Sequence, residues 1–177
     1  NDIFILDVYG KRFNLKDSNT IKKGDYLKTK NSAASFVLKN KSKICLSPNA
    51  SLKVTSLNLI KENHETTFEL KSGYLFLSFS KNTSDIYNLN FSSYSLKKLK
   101  NDIFLSNNNG LELINYGSNL TLFFNDEVKI KVSPFNNFKL LKNGNVINTN
   151  RILNNENIKK KFLAGCFTSI PKIEYKK

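Results

Sequence analysis

The sequence predicts an all-β domain assembled from many short strands. Three observations predict it. Apolar and polar residues alternate with a period of two, as where Val128, Ile130 and Val132 are spaced by Lys129 and Lys131; this sends one face of a strand to a core and the other to water. Turn formers recur at close spacing, among them Pro48-Asn49, Asn107-Asn108-Asn109-Gly110 and Lys142-Asn143-Gly144-Asn145. A helical period arises only near the C-terminus. Such a pattern suits a sandwich, a barrel or a solenoid.

The strands follow in order. Ile3 to Tyr9 is rich in β-branched and aromatic residues and stops at Gly10. Lys11 to Asn19 is polar and holds a short edge strand or a turn. Ile21 to Asp25 turns again, and Tyr26 to Thr29 is a short strand. Ala34, Phe36 and Leu38 share a face, Asn40-Lys41 is a hairpin tip, and Ile44 and Leu46 resume the inward face. Pro48-Asn49 breaks the run before Leu52 and Val54. A hairpin from Ser56 to Leu70 has its tip expected at Glu62-Asn63-His64. Gly73 to Phe79 is the most continuous apolar run, as in a strand covered on both sides. From Lys81 to Asn109 the pattern weakens, with Ser95 to Lys100 basic. Leu111 to Ile147 alternates again. In the tail, Asn154 to Gly165 is expected as one helix with Ile158, Phe162 and Leu163 on one side.

This divides the chain into a β domain over residues 1–150 and a tail, or linker to a further module, over 151–177. The 177 residues suffice to bury a real core. No Met is present, so a mature or trimmed protein is expected. No apolar run approaches the roughly 18 residues that span a bilayer.

The stretch Gly24-Asp25-Tyr26-Leu27-Lys28-Thr29, after the opening Gly10, resembles the FecR-type domain of bacterial cell-envelope proteins. Ser32 to Leu38, Ser47 to Val54 and Phe68 to Leu77 fit the strands and turns that follow in that family, and Asn125 to Ile130 and Phe138 to Gly144 resemble its closing strands. The likeness covers Gly10 to Ile147. Two features depart from it: Asn40-Lys41 stands where an Asp-Gly turn is usual, and the Gly-Thr-x-Phe element of the second half is absent. The resemblance implies a sandwich or solenoid-like FecR-type fold and a non-catalytic module in the periplasm or cell envelope, with another envelope protein as partner.

Residue chemistry agrees with a binding role. His64 is the single histidine and falls in a charged loop tip; catalysis would need a base and a nucleophile placed around it. One His and two distant cysteines do not make a zinc site, and no Gly-rich phosphate loop is present. No cofactor is expected. Cys45 and Cys166 are either one long-range disulfide or two buried thiols. Leu163-Ala164-Gly165-Cys166 matches a lipidation box but lacks the apolar stretch that precedes one.

Lys and Arg number 28 against 14 Asp and Glu, a net charge of +14. That favours acidic partners: an acidic protein face, an anionic polymer or a membrane surface. Arg12 and Arg151 are the only arginines, which disfavours nucleic acid, whose readers use the planar guanidinium fork. The candidate partner-binding residues form three clusters: Lys39, Lys41 and Lys43; Lys97, Lys98 and Lys100; and Lys159, Lys160 and Lys161.

Overall fold

A computed structural model describes residues 3–14, 20–38, 40–80, 84–91, 94–100, 102–107, 111–116, 118–124, 128–134, 137–140, 146–149 and 172–175. All of its regular structure is β. The strands are β1 (Ile3–Leu6), β2 (Arg12–Asn14), β3 (Thr20–Ile21), β4 (Tyr26–Thr29), β5 (Ala34–Leu38), β6 (Lys43–Leu46), β7 (Ser51–Ile60), β8 (Asn63–Ser72), β9 (Tyr74–Ser78), β10 (Ile86–Phe91), β11 (Tyr94–Leu99), β12 (Ile103–Ser106), β13 (Leu111–Asn115), β14 (Leu120–Phe124), β15 (Val128–Val132), β16 (Asn137–Leu140), β17 (Val146–Thr149) and β18 (Lys172–Tyr175).

They form two nine-stranded sheets. The first has the order β15-β14-β11-β10-β8-β7-β4-β1-β2, and the second β17-β16-β13-β12-β9-β6-β5-β18-β3. From β7 on, the chain visits the two sheets alternately: the β7–β8 hairpin in the first, the single strand β9 in the second, the β10–β11 hairpin in the first and the β12–β13 hairpin in the second. Most neighbours are antiparallel, but β10 runs parallel to β8, and β18 parallel to both β3 and β5. The tail strand thus sits inside the second sheet. The expected helix at Asn154 to Gly165 lies outside the described residues.

One apolar core joins the sheets. Leu27, Leu52, Val54, Phe68, Leu89 and Leu96 come from the first, and Phe36, Leu38, Ile44, Leu46, Leu75 and Leu77 from the second. A second cluster lies across the second sheet: Cys45, Phe104 and Ile114, flanked by Tyr74, Phe76 and Tyr116. Alternation explains the division, since Cys45 faces away from Ile44 and Leu46, and Phe76 away from Leu75 and Leu77. Cys45 is disulfide-bonded. The chain's other cysteine, Cys166, lies outside the described residues.

One local expectation is corrected. The β7–β8 turn is Lys61-Glu62, with Ile60 opposite Asn63, so Asn63 and His64 belong to the strand. Where the alternation weakens, the basic stretch from Ser95 supplies most of β11, up to Leu99. A register shift between Tyr87 and Leu89 and a positive φ of 54° at Lys98 mark a bulge there. A bulge adds one residue and disrupts the period of two; Leu96 and Leu99 are buried with both Lys97 and Lys98 exposed between them.

Candidate functional site at one end of the sandwich

Strand direction decides which turns meet. β1 and β7 run toward one end, here called the upper end, and β4 leaves it. The Asp7–Lys11 and Lys22–Asp25 turns and the β7–β8 turn therefore share that end. In the second sheet, Lys43 pairs with Ser78, and Leu77 with Ile103, so the β5–β6 turn, the end of β9 and the start of β12 lie together. Asp85 fastens the two sheets there. Its Oδ1 accepts the His64 backbone N–H at 2.8 Å, and its Oδ2 accepts Asn40 Nδ2 at 2.8 Å. Tyr87 pairs with Leu99, which brings the end of β11 to the same place.

Among the described residues, Lys11, Lys22, Lys23, Lys41, Lys43, Lys61, Lys98 and Lys100 are all exposed at this end, against one exposed acid, Glu62. The other carboxylates are turned inward as turn fasteners. Asp7 accepts the N–H groups of Tyr9 and Lys11 at 2.9 and 2.8 Å. Asp102 accepts that of Phe79 at 3.0 Å. Asp25 is buried and accepts the Lys22 N–H at 2.8 Å. Burial pushes the Asp25 carboxyl above its ordinary range, opposed by that N–H and by the Lys22 ammonium. The acids shape the turns, and the lysines at this end are exposed.

The exposed large hydrophobics also collect here. Among the described residues these are Tyr9 at 92%, Val8 at 60%, Ile60 at 47% and Leu59 at 46% exposure. Val8 and Tyr9 stand on the β1–β2 turn, and Leu59 and Ile60 at the end of β7. Gly24, which is bonded to the Val54 carbonyl of β7, has φ +95°, and a Cβ there would fall 2.3 Å from Val8 Cγ1. Glycine thus both permits the turn and lets Val8 pack onto it.

The fold brings Lys41 and Lys43 of the first predicted cluster to the same end as Lys98 and Lys100 of the second. Lys97 instead lies over the Phe123 ring on the outer face, 5.0 Å from its centroid. Lys39, Lys159, Lys160 and Lys161 lie outside the described residues. Sequence reasoning missed Lys11, Lys22, Lys23, Lys61 and all four exposed hydrophobics. Their runs look like ordinary strand ends, and only strand direction reveals that they converge. His64 is half-buried, with Nδ1 3.8 Å from Asp85 Oδ1, a contact that belongs to the sheet fastening.

No family model matches this chain. No curated protein matches it either. Two crystal structures of a candidate anti-sigma factor from Parabacteroides distasonis are similar in fold. Each has a TM-score of 0.58 at 8% identity, over 71% of this chain and 59% of that one. The likeness therefore spans under two thirds of that protein, and it is one of fold.

Proposed function

We propose that this chain is a non-catalytic protein-interaction or scaffolding module of FecR type, acting in signalling or organisation of the bacterial cell envelope, and that its upper end is the contact surface. The observation that carries this is the convergence of the exposed lysines and the exposed Val8, Tyr9, Leu59 and Ile60 on one end. Exposed apolar groups with a charged rim have the make-up of a docking surface, an apolar centre inside a polar border. The fold shared with a candidate anti-sigma factor supports a role in regulation through a partner protein. The Cys45 disulfide supports a place outside the cytoplasm, in the periplasm or envelope, because thiols stay reduced inside.

The test is capture from an envelope extract with the full chain. One defined protein should be retained by the wild type and lost from a Leu59→Ser, Ile60→Ser variant that keeps the wild-type melting temperature. A second reading, a polyanion-binding module for cell-wall polymer or anionic lipid, is favoured by the lysine excess at this end. It predicts binding to several unrelated polyanions that disappears at moderate salt and is indifferent to Leu59 and Ile60.

A further inference from the structure

The upper end contains a strand edge that nothing described occupies. β7 pairs with β8 along its length, but with β4 only through Ser51, Leu52 and Lys53. The Gly24-Asp25 turn closes that contact: Gly24 N–H donates to the Val54 carbonyl at 2.7 Å, and Val54 N–H to the Asp25 carbonyl at 2.8 Å. Past Val54 the strand continues for six residues, about 20 Å, with β8 on one side and, among the described residues, no strand on the other. Hydrogen-bonded positions alternate along an antiparallel pair. With Ile60 opposite Asn63 across a two-residue turn, the N–H and C=O groups of Leu57 and Leu59 point to the unoccupied side.

We infer that this lane, the continuation of β4 beyond Gly24, receives an extended segment of a partner protein that adds to β7 as a strand and is alternately apolar and acidic. This rests on the reading of the upper end as an interaction surface. Main-chain pairing with Leu57 and Leu59 supplies affinity, and the lane's surroundings select the sequence. Leu59 and Val8 offer exposed apolar contacts beside it. Lys22 and Lys23, both exposed on the turn that forms its floor, complement carboxylates and disfavour a basic strand.

The probe is a fluorescein-labelled heptapeptide of alternating Val and Glu, read by anisotropy against the full chain. Two controls are the Val-Lys counterpart and the Val-Glu peptide with a central proline. The acidic peptide should bind, both controls should bind at least tenfold more weakly, and its binding should slow amide exchange at Leu57 and Leu59. Leu59→Pro deletes an N–H on the lane side while leaving the β8 side paired, as proline is tolerated at strand edges; it should weaken binding at least tenfold, as should Lys22→Glu with Lys23→Glu. If the lysine variant weakens binding while Leu59→Pro and the proline-broken peptide bind normally, strand addition is wrong and the interaction surface stands. Should no peptide bind, while phosphatidylglycerol vesicles bind through Tyr9 and Leu59, the occupant is a membrane and the inference is overturned. Binding of neither overturns it together with the surface reading.

Discussion

The two ends of the sandwich are built from similar turns but finished in opposite ways. At the lower end the turns close on one another. The buried Thr29 hydroxyl donates to the Ser47 carbonyl and accepts the Ala50 N–H at 2.9 Å. Ser47 Oγ accepts the Tyr74 N–H at 2.9 Å, and Asn49 N–H donates to the Lys30 carbonyl at 2.7 Å. Hydroxyls and backbone groups there are consumed and Ala50 is buried. At the upper end carboxylates do the fastening, at the bases of the turns, while lysines and hydrophobic tips project beyond them. The lower end is finished for stability, and the upper end is left with surface that water alone satisfies poorly.

Substitutions should therefore separate stability from binding by location. The largest loss is expected at Gly73→Val. Gly73 has φ +89°, and a Cβ would meet Ala50 Cβ at 2.6 Å, Ala50 Cα at 2.8 Å and Ser47 Oγ at 2.9 Å. Left-handed strain and a backbone collision together should cost about 3 kcal/mol or more in denaturant unfolding. Gly10→Ala, with φ +79° and open space at the upper end, should cost only about 1–2 kcal/mol.

Next comes Asp85→Ala, which removes the acceptor of the His64 N–H and one of the two acceptors of the Asn40 amide, leaving the latter the Tyr87 hydroxyl, where the sheets are fastened. A loss of about 1–3 kcal/mol is expected by the same measurement. Equal tolerance of Gly73→Val and Gly10→Ala would remove the contrast between the ends.

Asp25 gives a pH signature. Its native carboxyl is raised above the ordinary 3.8, so between that value and the native one the folded state holds the proton more tightly than the unfolded chain. The Asp25 contribution is fully present below this window and is lost as pH rises through it. Asp25→Asn keeps an acceptor for the Lys22 N–H, so its unfolding free energy should gain on the wild type as pH rises. A constant difference from pH 3 to 7 would contradict burial as the dominant cause.

The smallest stability effect is expected at Leu59→Ser with Ile60→Ser. Both side chains are about half exposed, so unfolding free energy should change by no more than about 0.5 kcal/mol each.

How much of this was legible in the sequence follows from what sequence encodes. Alternation placed Phe36, Leu38, Ile44 and Leu46 in the core and set Cys45 on the opposite face, because side-chain direction along a strand is local. The bulge at Lys97-Lys98 hid β11, since an inserted residue erases the local period. The alternation of hairpins between sheets, the parallel β8–β10 pair and the insertion of β18 between β3 and β5 are long-range pairings without a local mark. The site suffered most. Lys41, Lys43, Lys98 and Lys100 were recognisable as charge clusters, but their meeting with Lys22, Lys61, Val8, Tyr9, Leu59 and Ile60 depends on five separate turns sharing one end.

The upper end is the proposed binding surface. The most direct measurement takes the protein that the wild type retains from an envelope extract and compares its affinity for three folded chains: wild type, Leu59→Ser with Ile60→Ser and Lys61→Glu, and the lower-end control Lys30→Glu with Lys71→Glu. At least a tenfold loss is expected for the upper-end variant and wild-type affinity for the control. Loss in the control with full affinity in the upper-end variant would contradict it.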